Sequence, residues 1–231
     1  MKKILLIGLL LAATAVNAQP ERGSWFLVPQ GGVNVSMLTG DASIRVNYTL
    51  YDDTGMSGGS TVTQLSRPRL GAGLGLNMEY QSGCHWALGF GIEASRQGTR
   101  FKDTTWSHAN LINPHIDLDY ISVPLLARYY VNDRFAFAFG LEPRYMAHQQ
   151  AKSIFSDAAN VASYEVTSIA EDFTRFDATL PLSVSYHMAN GTFCELRYNF
   201  GINLFKSDWI PFPPFCRNHC VSLTVGHKIK L

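Results

Sequence analysis

The chain is 231 residues long and carries a formal net charge of +1, with charged side chains at 16% of positions and aromatic ones at 12%. Soluble domains average about 25% charged residues, so this composition is poor in charge for a water-exposed protein. A near-neutral chain lacks the basic signature of nucleic-acid binding, which excludes nucleic acid as an expected partner. The length suits one all-β domain.

The first residues have the order of a secretory signal. Lys2 and Lys3 precede an apolar run that ends at Val16, and small residues follow as far as Ala18. Such a sequence predicts signal-peptidase cleavage before Gln19. We therefore expect a signal peptide over 1–18 and a mature domain over 19–231. No later stretch approaches the ~18 apolar residues of a transmembrane helix, so the exported chain is either soluble or crosses an outer membrane as a barrel.

Eight later segments alternate apolar residues with small or polar ones at a period of two, which predicts β-strands with two different faces. Pro29 and the Gly31-Gly32 pair make the first segment less regular, which indicates an edge strand or a bulge there. The predicted strands cover residues 24–38, 67–81, 85–97, 118–131, 134–145, 173–187, 192–205 and 220–231.

The connections between these strands alternate strictly between short and long. Tight turns lie near 82–84, 132–133 and 188–191, and long connections cover 39–66, 98–117, 146–172 and 206–219. Outer-membrane barrels have short periplasmic turns and long extracellular loops. The predicted fold class is therefore all-β: an eight-stranded antiparallel up-and-down transmembrane β-barrel in the bacterial outer membrane, with both termini in the periplasm.

Aromatic residues gather where the predicted strands end, as in the interfacial girdles of membrane barrels. At the short-turn end they are Tyr80, Trp86, Tyr129, Phe135 and Tyr186, and at the long-loop end Tyr145, Phe205 and Trp209. A soluble lipocalin-like barrel, with its apolar face inward around a ligand, is the alternative. The outer face of such a barrel would then consist largely of Gly, Ala, Ser and Asn. Nothing in a soluble barrel would explain why the aromatic residues gather at the strand ends.

The hairpin over residues 120–145 is the most regular part of the chain. Its apolar face ends in aromatics, and its other face holds small residues with Arg128, Glu142 and Arg144. The run from Tyr120 to Tyr130, YISVPLLARYY, followed by an aromatic strand with Gly140 at its middle, resembles the strand motif of PorT-like outer-membrane barrels of the Bacteroidetes type. The resemblance implies an integral outer-membrane location. It also implies a link to protein secretion, with which the family's named member is associated, and it brings no catalytic motif.

Every second residue of each predicted strand faces the barrel interior, and charged residues at these positions should meet there. An eight-stranded barrel has an interior that side chains nearly fill. We expect a plug of hydrogen-bonded ion pairs, with a narrow ion or proton path as the alternative. The predicted lumen charge network comprises Arg69, Glu79, Glu93, Arg128, Glu142, Arg144, Glu195 and Arg197, with Asp177, Lys228 and Lys230 on the same parity.

Four cysteines in an exported chain raise the question of disulfides. Cys216 and Cys220 are close in sequence beside a predicted loop, which predicts a short bridge between them. Cys84 and Cys194 begin strands on opposite sides of the barrel and are expected to stay unpaired. A metal site with His219 would need a second ligand pair at matching spacing, which the sequence does not offer, so no metal or other cofactor is expected.

Two classes of function remain open on the sequence alone. The first is a non-enzymatic barrel, expected to be monomeric, in contact with outer-membrane lipid and acting through its loops or through envelope or secretion proteins. A purely structural or adhesive surface barrel is the alternative within this class. The second is a lipid-modifying enzyme with a serine, a histidine and a carboxylate at the outer rim. Its candidates would be Ser107, His108 and Asp117, or His148 and Ser153. Adjacent residues of a strand face opposite ways, so these pairs do not establish a nucleophile and base, and we predict no enzyme.

Overall fold

The computed structural model describes residues 22–40, 44–50, 57–62, 66–105, 110–156, 161–168, 175–202 and 216–231, and the predicted signal peptide lies outside them. Among the described residues, no helix has the length and apolar character needed to cross a membrane. The strands are β1 (Trp25–Gly40), β2 (Ile44–Leu50), β3 (Ser57–Val62), β4 (Arg69–Gln81), β5 (Trp86–Arg100), β6 (Thr104–Thr105), β7 (Asn110–Ser122), β8 (Leu125–Tyr130), β9 (Phe135–Ser156), β10 (Val161–Ser168), β11 (Phe176–His187), β12 (Thr192–Gly201), β13 (Cys216–His227) and β14 (Ile229–Lys230).

Eight strands close into one antiparallel barrel, which confirms the predicted fold class. Around the barrel they follow the order β1, β4, β5, β7 with β8, β9, β11, β12 and β13, and β13 returns to β1. The prediction that the first strand is an edge or bulged is wrong, since β1 is paired on both sides with unbroken register. Pro29, which has no N–H to donate, lies between the stretch paired with β14 and the stretch paired with β13.

The fourth barrel strand is divided at Val123-Pro124 into β7 and β8. Both parts pair with β5 on one side and β9 on the other. Pro124 cannot donate a ladder hydrogen bond, whereas the Val123 N–H still donates to Pro143 O at 2.9 Å. The strand therefore continues through the interruption as one wall of the barrel.

The outward face carries a continuous apolar band. From Phe135 to Tyr145 on β9 there are ten residue steps, or about 34 Å of strand, which at a tilt of about 40° spans about 26 Å, close to the height of the lipid-facing band of membrane barrels. Since large apolar side chains face outward and charges face inward, the lipocalin-like alternative is wrong. Exposed side chains of the band include Val33, Leu70, Leu74, Leu76, Ile92, Phe137, Phe139, Leu182, Leu196, Leu223 and Val225.

Aromatic contacts occur at the short-turn end of the barrel, where the sequence predicted a girdle. Ring centroids are 4.8 Å apart for Trp25 and Tyr80, 5.0 Å for Trp86 and Tyr129, and 5.1 Å for Phe135 and Tyr186. Such amphipathic rings anchor a barrel at the lipid headgroups. At the other end Tyr145 contacts Phe176 at 5.0 Å, and the predicted Phe205 and Trp209 lie outside the described residues.

Two of the short turns have the local chemistry that the sequence predicted. The Asn132 side-chain oxygen accepts hydrogen bonds from the N–H groups of Arg134 (2.9 Å) and Phe135 (2.8 Å). Gly191 has a φ of +82°, a left-handed conformation that favours glycine. These turns fix the registers of the strands that they join.

Several predicted loops contain strands, which corrects the sequence-based assignment. β9 is 22 residues long and pairs with β7 well beyond the apolar band, as far as Asn110 opposite Ser156. β2 and β3 come from the predicted loop 39–66, and β10 comes from the predicted loop 146–172. Together they form a three-stranded antiparallel sheet in the order β10–β2–β3. Two separate extracellular connections are therefore joined by backbone hydrogen bonds.

Candidate functional site

The charged residues of the predicted lumen network face the barrel interior. Most of these side chains are buried. The side chains of Arg69 and Glu93 are the most accessible of the eight, at 19% and 17% exposure. Their position follows from the strand period, because every second residue of each strand must point inward. The ion pairs fall into three levels between the short turns and the long loops.

The level nearest the short turns centres on Glu79. Arg128 binds Glu195 (Nη2–Oε2, 2.7 Å) and also approaches Glu79 (Nη1–Oε2, 3.5 Å). Tyr130 donates its hydroxyl to Glu79 Oε1 at 2.7 Å, and Lys228 binds both Glu79 and Tyr130. This level ties together side chains from β4, β8 and β12 and from the linker after β13.

The central level is organised by Arg197. Its guanidinium contacts Glu195 (Nη2–Oε1, 2.9 Å), Glu93 (Nη1–Oε2, 3.0 Å) and, more distantly, Glu142 (Nη1–Oε2, 3.7 Å). Glu93 also accepts hydrogen bonds from Gln30 (2.7 Å) and Asn77 (2.9 Å). Since Glu93 on β5 and Glu142 on β9 both reach Arg197 on β12, this level crosses the full width of the lumen.

The level nearest the long loops contains two further ion pairs. Arg144 binds Asp177, and its guanidinium lies 4.4 Å from the centre of the Tyr120 ring. Gln97 accepts a hydrogen bond from Asn218 at 2.8 Å, which bridges β5 and β13. Above this, Arg69 pairs with Asp117, a carboxylate that the sequence analysis had considered for an enzyme.

The sequence analysis left several members of these levels out of its network. Tyr130 connects Glu79 with Lys228, and Asp117 pairs with Arg69. Gln97 accepts hydrogen bonds from both Arg144 and Asn218. The positions of Tyr130, Gln97 and Asn218 were predictable, because residues an even number of positions apart on a strand face the same side. Tyr130 lies two positions from Arg128, Gln97 four from Glu93, and Asn218 two from Cys220. Their uncharged side chains gave no reason to select them.

Apolar and aromatic side chains fill the lumen at both ends of the charged levels. At the short-turn end Phe26, Val28 and Phe193 form a buried cluster, and the Phe193 ring lies 5.4 Å from that of His187. Towards the loops, further inward side chains are almost fully buried. These are Leu38, Ile116, Leu118 and Tyr120. Large side chains thus occupy the interior above and below the ion pairs.

A small cavity remains in the middle of the lumen, with a volume of about 40 Å³. One side is formed by glycines of β1 and β4, including Gly32, Gly73 and Gly75, and the other by Glu142 and Arg197 with their neighbours. Gly75 makes room for the side chain of Glu93, its pairing partner on the neighbouring strand β5. A Cβ at position 75 would lie 2.6 Å from Glu93 Cγ.

The predicted disulfide between Cys216 and Cys220 is wrong. No disulfide joins these two residues. They lie four positions apart on β13, about 13 Å along an extended strand, whereas a bridge needs Cα atoms within about 7 Å. His219 has the opposite parity and faces Tyr198 (Nδ1–OH, 2.8 Å), so it cannot share a metal ion with the buried cysteines. Cys84 and Cys194 are free thiols.

Of the candidate enzyme residues, the structure describes the side chains of Asp117 and His148, and these two belong to different candidate sets. Ser107 and His108 lie outside the described residues, as does the side chain of Ser153. Asp117 is buried against Arg69 and lies 3.9 Å from His115, whereas His148 is exposed. Among the described residues, no group of three or more His, Cys, Asp or Glu side chains could hold a metal ion.

An exposed ion pair marks the outer limit of the apolar band. Arg96 and Asp119 occupy outward positions opposite each other on β5 and β7 and are joined by two hydrogen bonds of 2.7 and 2.9 Å. The hydrogen bonds from Arg96 lower the pKa of the Asp119 carboxyl below its ordinary value of 3.8, although partial burial acts in the opposite direction. The boundary between lipid and water on this side of the barrel therefore lies at Arg96 and Asp119.

A comparison with models of protein families agrees with this architecture. The family model described as an outer membrane protein beta-barrel domain matches residues 17–206. Among solved structures, the chain is similar to Ail, the attachment invasion locus protein of Yersinia pestis, with 13% identity and a TM-score of 0.42 over 90% of this chain and 100% of that one. It is also similar to OprG from Pseudomonas aeruginosa, with 11% identity and a TM-score of 0.42 over 91% and 97% of the two chains. None of the curated proteins compared matches the chain.

Proposed function

Because the chain belongs to the outer membrane protein beta-barrel domain family, we propose that it is a non-enzymatic outer-membrane barrel with a plugged lumen that acts through its extracellular strands or through partners in the envelope. The more specific part of the proposal is a PorT-like role in protein secretion, supported by the motif at Tyr120–Tyr130 and the aromatic strand with Gly140. Export by a cleaved signal peptide over 1–18 and a monomeric state belong to the same proposal.

The observation that carries the proposal is the central level of ion pairs. Arg197 on β12 reaches Glu93 on β5 and Glu142 on β9, so side chains from three separated strands meet in the middle of the lumen. Eight strands enclose an interior only just wide enough for such side chains. A solute would have to break several buried ion pairs to pass, which disfavours a channel and directs attention to the outer surface.

The extracellular strands supply a surface of fixed shape on which a partner can bind. β7 and β9 continue as a paired hairpin above the apolar band, and β2, β3 and β10 join the first and third long connections into one sheet. Functional residues of barrel proteins are carried disproportionately by such connections on a rigid scaffold. We propose that this sheet is the part of the molecule that envelope partners contact.

A conductance measurement tests the plugged lumen. The purified barrel, inserted in a planar bilayer, is expected to give no stepwise current. A wide outer-membrane porin, recorded in the same bilayer, serves as the positive control for insertion and for detection of current. Stepwise current from the wild-type barrel would overturn the non-conducting part of the proposal.

A secretion assay tests the finer role separately. The β2–β3 hairpin, residues 44–62, would be replaced by a short Gly-Ser linker, and a matched control would carry the same linker inserted in the turn at 188–191. Both variants should retain heat-modifiable mobility on gels, and only the first should lose export of secreted proteins. Unchanged export after deletion of the whole gene would remove the secretion role and leave the membrane location standing.

A further inference from the structure

The cavity in the middle of the lumen has more negative than positive charge around it. Arg197 is shared by Glu93, Glu142 and Glu195, and Glu195 is shared in turn with Arg128. Along the connected ion pairs there are four carboxylates, on Glu79, Glu93, Glu142 and Glu195, and three cations, on Arg128, Arg197 and Lys228. One negative charge therefore has no counterpart within this connected set.

The surplus charge belongs at Glu142. Its contact with Arg197 is the longest of that arginine's three carboxylate contacts, at 3.7 Å. Its hydrogen-bond partners are neutral: the Asn199 amide, at 3.3 Å, and the Ser122 hydroxyl. Glu93, by comparison, has contacts of 3.0 Å or less with Arg197, Gln30 and Asn77. A carboxylate that is 3% exposed and shares its one cation with two closer carboxylates is costly unless another positive group lies beside it.

Two buried amide oxygens in the cavity wall also lack partners. Asn34 Oδ1 and Asn199 Oδ1 accept no hydrogen bond, although their residues are 4% and 6% exposed. Each amide uses its nitrogen instead: Asn34 donates to Arg96 O at 3.1 Å, and Asn199 donates to Glu142. Buried acceptors of this kind normally have a partner, so the wall offers oxygen ligands on two sides of the cavity.

We propose that this cavity is a binding site for one small monovalent cation such as Na⁺, held by carboxylate oxygens of Glu142 and Glu93 and by the amide oxygens of Asn34 and Asn199. Oxygen ligands suit hard cations, and a single positive charge neutralises the surplus. The volume of about 40 Å³ accommodates an ion with one or two waters, since one water needs roughly 10–15 Å³ measured in the same way.

Thermal unfolding of the full mature chain, refolded in lipid or detergent, tests the site. The transition midpoint is measured in NaCl and in N-methylglucamine chloride at equal ionic strength. Because Na⁺ binds the folded barrel, the midpoint should rise with the logarithm of the Na⁺ concentration above the dissociation constant. Glu142→Gln removes the surplus charge and should abolish this dependence, and the control Asp119→Asn, outside the lumen, should retain it.

Two outcomes of this experiment would overturn the proposal. One is a wild-type midpoint that is the same in both salts, and the other is an unchanged Na⁺ dependence in Glu142→Gln. Infrared spectra add a third, since a protonated-carboxyl band that disappears in Glu142→Gln would show that a proton occupies the site instead. If that variant fails to fold, crystals soaked in thallium(I) chloride decide the question: anomalous density in the cavity supports the site, and its absence there refutes it.

Discussion

Replacement of Arg197 by methionine removes the cation on which three buried carboxylates converge. Methionine retains most of the apolar stem, so the change isolates the guanidinium contacts with Glu195, Glu93 and Glu142 at 2.9, 3.0 and 3.7 Å. Loss of one partner from a buried ion pair costs about 3–5 kcal/mol, because the remaining charge stays buried without compensation.

The other contacts of these carboxylates place the expected loss at the lower end of that range. Glu195 keeps its 2.7 Å contact with Arg128, and Glu93 keeps hydrogen bonds from Gln30 and Asn77. Glu142 keeps hydrogen bonds from two neutral side chains, Asn199 at 3.3 Å and Ser122. We therefore expect Arg197→Met to reduce the free energy of unfolding by about 3 kcal/mol.

The measurement is urea-induced unfolding of the barrel in lipid vesicles, followed by tryptophan emission. Arg96→Met is the matched control, because it removes an exposed arginine from an outward ion pair and should lower the free energy of unfolding by no more than about 1 kcal/mol. A second variant, Arg197→Met with Glu195→Met, should recover part of the loss since one stranded carboxylate is removed. A loss below about 1 kcal/mol in Arg197→Met, the value of a solvent-exposed pair, would refute a buried, structurally important network.

Three further predictions concern the lipid face, the strand contacts and the outer rim. Phe137→Arg places a charge in the middle of the apolar band and should lower the free energy of unfolding in vesicles by about 2–4 kcal/mol. Phe176→Arg at the rim should lower it by about 0–1 kcal/mol. Equal losses in the two variants would contradict the assigned position of the band. Gly140→Ala should prevent heat-modifiable folding because its Cβ would lie 1.9 Å from Leu125 O, whereas Gly83→Ala, with open space around it, should fold normally. Asp119→Asn should lower the unfolding midpoint at neutral pH, since the ionised carboxylate is stabilised in the fold. That difference should vanish as the pH falls below 3.8 through the lowered folded pKa, and a difference that persisted in acid would exclude this ion pair as its source.

Alternation in the sequence was sufficient to predict the barrel, its two faces and its short turns, because each depends on local chemistry. The extracellular sheet was missed although Ile44, Val46, Tyr48 and Leu50 alternate as strand residues do. Their pairing with β10 connects positions more than a hundred residues apart, and no local pattern reports such a partner. The residues around this segment are rich in Thr, Ser and Gly, and that composition favoured the prediction of a loop.

The period of two along each strand was sufficient to predict which charged residues face the lumen. It did not predict which of these residues form ion pairs with each other. Which carboxylate meets Arg197 depends on the stagger between strands, and stagger is set by the closure of the whole barrel. The Cys216–Cys220 bridge was predicted from proximity in sequence and failed because the strand begins at Cys216, four residues earlier than expected. Pro29 likewise suggested an interruption, yet β1 stays paired on both sides, since proline lacks only the donor and not the extended geometry.

The pairing of β1 with β13 has a consequence for biogenesis. Gln30 lies opposite Gly226, 196 residues later in the chain (226 − 30), so the barrel cannot close until its last strand is available. Contacts this distant in sequence form slowly, and until they form, the open edge of β1 and the apolar outer face are both able to aggregate. We therefore expect the chain to reach the outer membrane unfolded, protected from aggregation, and to close only there.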